Sequence, residues 1–473
     1  MQFSGVTMSG GLSVLTGAAP VITTDTYWAN VSFLSETTST NGQTNNTFLD
    51  GSSIAATVSR AGASSASLGQ GSFSPYPANN TTSYSAATNG GSGFFPGSAA
   101  YLSVPANAAY AFGTGDFTVE AWVNFNSIAG AITPICQSDA VGSSTGDKWW
   151  FGYSAGALYF ACHQGGTPFA SIPFTPTLNT WYNVAVTRSS GTMRLFINGV
   201  SGTVTNGNGG FSGYTLGQNG MSVGAMSSPF YLSGYLSDVR LVKGTALYTA
   251  TYSVPTTPLT AVSGTSLLLN YTNAGLYDAR ANSDLVSAGS AQASTTVAKW
   301  SPTSAYFNGS ASYLYAPPNT AFAFGTGDFT VEGWVYFNSV SGNQPICQSD
   351  ALGSSTNNKW YLNCAGDQLV LATHGSGGFS CSTPFTPSTS TWYYVTATRA
   401  SGTVRLFVNG VSGTVTTSGT PSGYNLGQNG LTVGGISSPA YLNGYMQDLR
   451  LTKGVARYTA TFTPPTAALP TSA

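Results

Sequence analysis

Two pairs of acidic residues are spaced so that glycoside hydrolysis must be considered: Asp116 with Glu120, and Asp328 with Glu332. A retaining mechanism needs two carboxyl groups about 5 Å apart. Residues two positions apart on one face of a strand can reach that spacing, whereas residues four apart are separated by roughly 13 Å. Because the middle position of the first pair is a threonine, Thr118, the hydrolase pattern is broken. We predict that the protein is not an enzyme.

The structural alternative for the two glutamates is an ion pair with a neighbouring strand. Arg188 and Arg399 are the candidate partners of Glu120 and Glu332. Only 6% of the residues are charged, and a charge pair that recurs in such a chain is more typical of architecture than of catalysis. We therefore expect these carboxylates to stabilise the fold.

Aromatic residues cluster in two matching segments and could form a platform for sugar rings. Most aromatic side chains of a β protein pack in its core, which is the alternative for each of them. Gly-rich loops nearby would form the rim of a binding site. The candidate carbohydrate-binding residues are Trp149, Trp150, Tyr153, Trp360 and Tyr361.

A duplicated Gln-Ser-Asp-Ala segment offers another kind of site, since Asp139 and Asp350 could each bind calcium. Calcium is held by about six to eight oxygens. Each segment supplies one carboxylate, with carbonyl and hydroxyl groups around it, and the alternative is a solvated loop acid. Calcium is the one cofactor that the sequence suggests.

Strands must position these residues, because helix-forming surface residues are scarce. Gly, Ser, Thr and Asn replace the Lys and Glu that build solvent-facing helices, while Thr, Val, Tyr and Phe favour strands. The formal net charge is -1 and shows no runs of one sign. No basic face exists to collect phosphates, so nucleic acid is not an expected partner.

The first residues have neither the basic start nor the apolar stretch of a secretory signal. No apolar run of about 20 residues occurs, so membrane insertion is not expected. A hydroxyl-rich composition typical of extracellular proteins, without an export signal, favours a protein that is assembled into a virus particle and released by lysis. We therefore predict a location on the exterior surface of a virion.

A long internal repeat organises the chain. The segment 112–248 recurs as 324–458, where "FGTGDFTVEAWVNFNS" returns as "FGTGDFTVEGWVYFNS" and "YLSGYLSDVRLVKG" returns as "YLNGYMQDLRLTKG". Self-similarity over this length indicates tandem copies of one folding unit. Pro and Thr cluster between the copies as a short linker. We predict an N-terminal docking segment at 1–27, a first domain at 28–257 and a second domain at 258–473.

Within each copy the residues alternate with the period of a strand. Apolar residues occupy every second position of 117–123, so one face of that segment belongs to a core. Asn198-Gly199 marks a tight turn, and Asn409-Gly410 repeats it in the second copy. The sequence predicts an all-β protein of two tandem antiparallel β-sandwiches.

The segments "GDFTVEAWV", "RLFINGV" and "LSDVRLVKG" resemble laminin-G-like domains of the concanavalin A-like jelly-roll class, and the resemblance covers nearly all of both repeats. It implies two antiparallel sheets per domain, with a sheet face or rim loops that recognise sugars or proteins. The ending "DVRLVKGTALYTATYSVP", with "FLDGSS" and "GSFSP" upstream, looks like versions found in structural and tail proteins of marine bacteriophages.

The expected function is that of a non-enzymatic virion structural protein, a tail fibre or appendage component that adheres to a host-surface glycan. Capsid decoration is one alternative, and a secreted carbohydrate-binding lectin or glycoside hydrolase is another. The expected partners are other virion proteins, a host glycan and further copies of the chain. Residues 1–27 are small and Gly/Ser-rich, so they could order against a partner, although a disordered leader fits equally.

Overall fold

The computed structural model describes residues 24–76, 83–143, 147–163, 168–300, 302–354, 356–374 and 377–473. The regular secondary structure of these ranges is almost wholly antiparallel strand, so the predicted all-β class is confirmed. No helix in the described ranges is long and apolar enough to span a bilayer. The helical elements are one short α-helix, α1 (Ala86–Asn89), and four 3-10 turns at Trp28–Asn30, Ser65–Ser67, Ala108–Tyr110 and Thr320–Phe322.

The strands up to the end of the first repeat are, in chain order, β1 (Val31–Thr37), β2 (Ser59–Ala61), β3 (Gly69–Gly71), β4 (Ser92–Pro96), β5 (Tyr101–Val104), β6 (Phe117–Ser127), β7 (Ile132–Ser138), β8 (Trp149–Ser154), β9 (Ala157–Cys162), β10 (Phe169–Pro173), β11 (Trp181–Ser189), β12 (Thr192–Ile197), β13 (Val200–Ser201), β14 (Thr205–Gly207), β15 (Met221–Val223), β16 (Ala225–Ser227), β17 (Phe230–Tyr231) and β18 (Ser233–Lys243).

The remaining strands are β19 (Thr265–Leu269), β20 (Leu276–Asp278), β21 (Val286–Ala288), β22 (Gln292–Ser294), β23 (Ser304–Asn308), β24 (Tyr313–Ala316), β25 (Phe329–Phe337), β26 (Gln344–Ser349), β27 (Trp360–Ala365), β28 (Gln368–Thr373), β29 (Ser380–Pro384), β30 (Trp392–Ala400), β31 (Thr403–Val408), β32 (Val411–Ser412), β33 (Thr416–Ser418), β34 (Leu431–Val433), β35 (Gly435–Ser437), β36 (Ala440–Tyr441) and β37 (Asn443–Lys453).

The first domain is a sandwich of two antiparallel sheets. The long-strand sheet has the order β13-β12-β11-β6-β18-β4-β3, with β19 also paired to β18. The hairpin sheet has the order β14-β10-β9-β8-β7-β15-β5-β2. Its β7 to β10 form a meander, in which each strand pairs with the next one in the chain. The second domain repeats both sheets, with β25 and β37 central in one and β26 and β27 central in the other.

The core of the first domain lies between its two sheets. Alternation along β6 points Phe117, Val119 and Val123 inward, and all three are fully buried. Trp149 and Phe160 of the hairpin sheet complete the same cluster. The second domain has an equivalent core around Val331, Val335 and Trp360.

One strand of each repeat is exchanged between the domains. The N-terminal strand β1 pairs with β37 in the second domain, where Leu34 lies opposite Arg450. The strand that starts the second repeat, β19, pairs with β18 in the first domain, where Leu268 lies opposite Arg240. The predicted ranges 28–257 and 258–473 follow the repeat along the chain, whereas the hydrogen-bonded sheets do not.

Two aligned aspartates bind the exchanged strands. Asp50 Oδ1 accepts from the backbone N–H of Leu268 at 3.0 Å, and Asp278 Oδ1 accepts from that of Leu34 at 3.1 Å. Each aspartate follows the strand that its own repeat has donated to the other domain. The two repeats therefore use the same local contact to bind the strand that the other repeat donates.

The two connections that lead out of the exchanged strands pass each other at a buried junction. Asn45 is fully buried there. Its Nδ2 donates to the carbonyls of Leu276 and Leu285 at 2.7 and 2.6 Å, and its Oδ1 accepts from the N–H of Leu276 at 2.9 Å. A buried amide with all of these partners specifies the crossing, because any shift of the connections would leave polar groups unpaired.

The start of the described chain is bonded to the end of the second domain. The carboxylate of Asp25 contacts Arg450 and Arg457 at 2.8 Å each, and its N–H donates to the carbonyl of Ser472 at 2.8 Å. Arg450 also pairs with Glu332 at 2.8 Å. Residues 1–23 of the predicted docking segment lie outside the described residues.

Candidate functional site

Three of the five predicted sugar-binding aromatics belong to the core. Trp149 and Trp360 are 0% exposed, and their rings stack on Phe112 and Phe324 at 5.4 and 5.2 Å. Tyr153 packs at the edge of the first core. The prediction of a platform that includes these three is wrong, because strand alternation turns them inward.

The next residue along each strand has the opposite orientation. Trp150 on β8 and Tyr361 on β27 lie on the outer face of the hairpin sheets, as alternation requires. In the first domain, Trp150 is stacked with Tyr159 of β9 at 5.4 Å, with 8° between the ring planes. Tyr159 is stacked in turn with Phe169 of β10 at 5.2 Å and 20°. We call Trp150, Tyr159 and Phe169 the aromatic stack.

Small residues make room for the aromatic stack. Ala161 lies directly opposite both Trp150 and Phe169 in the strand register, so no large side chain separates the rings. Gly207 of β14 pairs with Phe169, and a Cβ atom built on it would lie 2.0 Å from the Phe169 ring. The ring therefore covers the glycine. Apolar neighbours widen the patch around the stack: Ile132, Met226 and Phe230.

The second domain lacks this stack although its backbone register is the same. Tyr361, Ala372 and Ser380 lie opposite one another where the first domain has Trp150, Ala161 and Phe169. Val370 stands in the place of Tyr159, and Asn343 and Ala440 stand in the places of Ile132 and Phe230. The outer face of the hairpin sheet is thus aromatic and apolar in one repeat, and largely small or polar in the other.

Inspection of one repeat at a time gives Trp150 and Tyr361 but misses Tyr159 and Phe169. The signal that finds them is a comparison of the repeats at outward-facing positions. "ALYFACH" in β9 corresponds to "QLVLATH" in β28, where the inward Leu is kept and the outward Tyr is replaced by Val. An aromatic cluster on one outer face that the other repeat lacks indicates a surface with its own role.

The glutamates predicted to be architectural are buried in ion pairs, but their partner differs from the predicted one. Glu120 is 0% exposed and accepts from Arg240 at 2.6 Å and from Tyr248 Oη at 2.9 Å. Burial raises the pKa of Glu120, and Arg240 beside it acts in the opposite direction. Arg188 instead donates to the backbone carbonyls of Gly113 and Gly115 at 2.7 and 2.6 Å.

The aspartates of the same strands shape turns. Asp116 Oδ1 accepts from the N–H of Ser190 at 2.8 Å, and Asp328 Oδ1 accepts from that of Ser401 at 2.8 Å. Each of these contacts joins the residue that precedes a strand, β6 or β25, to the neighbouring hairpin turn of the long-strand sheet. The carboxyl groups considered for hydrolysis are therefore all used in holding strands and turns.

The two candidate calcium loops each contain a lysine ammonium group. Lys148 Nζ donates to the carbonyls of Ala140 and Ser143 at 2.9 Å each, next to Asp139. Lys359 Nζ repeats this arrangement beside Asp350, whose carboxylate accepts from Ser354 and Thr356. Burial lowers the pKa of Lys148 to about 8 although Asp139 opposes the shift.

This set of groups does not fit calcium. The carbonyl oxygens that would ligate the ion bind an ammonium group, and one carboxylate per loop falls short of the charge that calcium sites supply. Within the described ranges, no group of three or more His, Cys, Asp or Glu side chains could hold a metal ion. The five cysteines all lie among the described residues, where they are buried and form no disulfide.

Several solved structures match the chain at low similarity. Domains LG4-5 of the mouse laminin alpha1 chain match 80% of this chain and 93% of their own length, with 12% identity and a TM-score of 0.30. The binding domain of Paraclostridial Mosquitocidal Protein 1 matches 37% of this chain and 45% of its own length, with 12% identity and a TM-score of 0.30. Domain 4 of an extracellular arabinanase from Geobacillus stearothermophilus, solved with arabinotriose, matches 35% and 76%, with 16% identity and a TM-score of 0.28.

Among curated proteins, none matches the sequence of this chain. A family model of the laminin G type, described as the concanavalin A-like lectin/glucanases superfamily, matches residues 96–247 and again 308–456. The two matches together span more than half of the chain and coincide with the internal repeat. The chain therefore belongs to the concanavalin A-like lectin/glucanases superfamily, with two laminin-G-type regions in tandem.

Proposed function

We propose that the protein is a non-catalytic carbohydrate-binding protein whose first domain binds a neutral glycan on the aromatic stack. The observation that carries this proposal is the restriction of the stack to one of two closely similar repeats. Core packing would require the aromatic residues in both domains, because the register beneath them is the same. A surface that differs between the copies is better explained by recognition.

The chemistry of the patch favours a neutral sugar. Tyr159 and Phe169 are partly exposed, near-parallel rings against which the C–H faces of a pyranose can pack, and Trp150, which is 6% exposed, supports them from the side. The apolar residues around them carry no charge, so an ionic ligand would lose hydration without a partner. Two ring contacts of about 1 kcal/mol each correspond to binding in roughly the range of tens of millimolar. Useful adhesion would then need several sites at once.

We propose that the protein binds a glycan and does not hydrolyse it, because its acidic residues have structural roles. Glu120 and Glu332 are fully buried in ion pairs, and Asp116 and Asp328 hold turns. None of these four residues lies in the aromatic stack. A sugar seated there would meet rings and small polar groups, which can bind it but cannot supply the acid and the nucleophile of hydrolysis.

We further propose that the protein lies on the exterior of a virus particle, as a tail fibre or appendage component that binds a host glycan. The charge-poor, hydroxyl-rich composition and the resemblance of the strand β18 region to phage structural proteins support this placement. Capsid decoration and a secreted lectin are the alternatives. Gold-labelled antibody on purified particles separates them: label on tails supports the proposal, label over heads favours decoration, and no label favours a lectin.

Binding itself is tested on an array of neutral and charged glycans. The first-domain variant Tyr159→Val with Phe169→Ser carries the residues that the second domain already tolerates at these positions, so its fold should be kept. We expect the full chain to bind neutral glycans and this variant to lose at least tenfold in affinity. The matched control is Tyr361→Ala in the second domain, which should bind normally. Equal binding by the stack variant, or no glycan bound by the full chain, would refute the proposal.

A further inference from the structure

A cavity of about 370 Å³ opens where the chain enters the second domain. Its walls come from four segments: the start of strand β1 with the residues before it, the connection after β20, the 3-10 turn at Thr320–Phe322 and the end of β37. None of the described residues that line it is acidic, and two are cations. We call it the cationic cavity, after its four polar residues with long or amide side chains: Asn30, Arg280, Asn282 and Lys453.

The first cation, Arg280, is held in a fixed position at the cavity wall. Its Nε donates to the carbonyl of Val31 at 3.1 Å, and its guanidinium carbon lies 4.8 Å from the centre of the Trp28 ring. Trp28 is itself buried, so the ring is a rigid support. A guanidinium group has five N–H donors in a planar fork, which matches the oxygens of an anion.

The second cation, Lys453, retains part of its hydrogen-bonding capacity. Its ammonium group has three N–H donors, and one of them binds the carbonyl of Thr320 at 2.8 Å. Among the described residues, no carboxylate forms an ion pair with Lys453. Asp278 lies two residues before Arg280, but it is fully buried and its oxygens accept three backbone N–H groups. The positive charge of the cavity is therefore not balanced by an acid in its wall.

Two amide groups add neutral donors beside the cations. Asn30 Nδ2 donates to the carbonyl of Lys453 at 3.2 Å, and Asn282 Nδ2 donates to that of Ser32 at 2.8 Å. These bonds hold both amides at the cavity wall. An amide nitrogen carries two N–H groups, so each asparagine has a second donor for a ligand.

The first domain lacks the arginine and one amide. Ser52 occupies the place of Arg280, because the N–H of each donates to the aspartate two residues earlier, at 2.9 and 3.0 Å. Strand register likewise places Gly264 where the second domain has Asn30. The cationic cavity is thus a property of the second domain and not of the shared fold.

The lysine, by contrast, is common to both domains. Lys243 Nζ donates to the carbonyl of Ala108 at 2.8 Å, just as Lys453 Nζ donates to that of Thr320. This bond belongs to the repeated architecture. Only 14 of the 473 residues are Lys or Arg, so a second cation placed beside this lysine in one domain alone requires an explanation beyond the fold.

We propose that the cationic cavity binds a phosphate-type oxyanion, with Arg280 and Lys453 as the cations and Asn30 and Asn282 as further donors. A phosphate group has several acceptor oxygens and a charge between -1 and -2 at neutral pH, which matches two cations better than a single carboxylate does. The cavity is larger than one oxyanion, so the group is either free phosphate or the phosphate of a sugar. The site does not depend on the aromatic stack, which belongs to the first domain.

The test is calorimetric titration of the full chain with sodium phosphate at constant ionic strength. We expect one site per chain. Arg280→Ser should weaken binding about tenfold, since it removes a charged hydrogen-bonding partner, and its fold should be kept because the first domain has serine at this place. Lys453→Gln should also weaken binding. The matched control is Lys243→Gln in the first domain, which should bind phosphate as the wild type does.

Absence of phosphate binding by the wild type, or equal affinity of the wild type and Arg280→Ser, would overturn the proposal. Glucose 1-phosphate distinguishes the two sources of the anion. Tighter binding than inorganic phosphate, lost in Arg280→Ser, would assign the site to a phosphorylated sugar, and equal affinity would assign it to free phosphate. The stack variant Tyr159→Val with Phe169→Ser should bind phosphate normally, so failure of the stack and failure of this site are separable.

Discussion

At the scale of single residues, the most informative difference between the repeats is Glu36. Its aligned residue in the first domain is Asn270, which donates to Asp238 Oδ1 at 2.5 Å. Glu36 stands beside Asp448 instead, so two carboxyl groups share one site. Burial, with Asp448 as the second cause, raises the pKa of Glu36 to about 8, and burial raises that of Asp448 to about 6.

These pKa shifts predict that the stability of the folded chain depends on pH. The folded chain holds the Glu36 proton up to about pH 8, whereas the unfolded chain releases it near its ordinary pKa of 4.5. The stabilisation is therefore complete below about pH 4.5 and is lost as the pH rises through 8. We expect the melting temperature to fall between pH 5 and 9, and Glu36→Gln to flatten that fall. An unchanged slope in Glu36→Gln would show that other groups cause it.

A second prediction concerns the buried pair of Glu120 and Arg240. Replacement of Arg240 by Leu leaves the Glu120 carboxylate buried without its partner, which typically costs about 3–5 kcal/mol. Urea unfolding of the full chain should show that loss, and Arg240→Leu combined with Glu120→Gln, which leaves neither charge unpaired, should lose less. Equal stability of Arg240→Leu and wild type would mean that the pair is not structural.

The same pair shows what sequence could and could not predict for a residue. An architectural role for Glu120 follows from charge-poor composition and duplication. The partner does not, because β6 has a neighbour on each side. Arg240 of β18 lies directly opposite Glu120, whereas Arg188 of β11 lies opposite Phe117, three positions away. Only the strand register shows which of the two arginines lies opposite Glu120.

At the scale of elements, the ion pairs of Asp25 explain which domain receives strand β1. β1 and β19 have similar sequences and equivalent places in the two sheets. The second domain has Arg457 where the first has Leu247, and Arg457 bonds Asp25 at the entrance to β1. A strand that carries Asp25 would meet only one cation in the first domain, Arg240 in the place of Arg450, because Leu247 stands in the place of Arg457.

We therefore predict that Arg457→Leu loosens the N-terminal strand without unfolding the sandwiches. Hydrogen exchange of β1 should become at least tenfold faster, while that of β6 and β11 should not change. Asp25→Leu combined with Arg457→Leu should recover part of the protection, because no buried charge is then left unpaired. Unaltered exchange of β1 in the single variant would contradict this role of the ion pair.

Sequence predicts most of these elements but not the exchange. Alternation, turn residues and the repeat give the strands and the sandwich class, because they are local signals. The choice of partner sheet for β1 depends on the buried amide of Asn45 at the crossing, and on Asp25, which lies more than four hundred residues from Arg450. Such contacts have no local pattern in the chain.

At the scale of the whole molecule, the reciprocal exchange links the folding of both domains. Each long-strand sheet contains a strand from the other repeat, so neither sandwich is complete without the other half of the chain. We predict a single cooperative transition in calorimetry, with equal calorimetric and van't Hoff enthalpies. Two separated transitions would show that the exchanged strands add little to either domain.

A fragment that begins at the predicted domain boundary gives a second test of the strand exchange. Residues 258–473 lack β1, so the edge of β37 would be left unpaired. Exposed edges of long strands promote association and aggregation. We expect this fragment to aggregate, and a peptide with residues 24–37 to improve its solubility. A soluble, monomeric fragment would be evidence against the exchange.

The most direct measurement is a crystal structure of the full chain with the best-binding neutral oligosaccharide. We predict a sugar ring packed within about 4 Å of Tyr159 and Phe169, on the outer face of the hairpin sheet of the first domain. A sugar bound instead at the Asp139 or Asp350 loops, on the second domain, or beside Glu120 would contradict it.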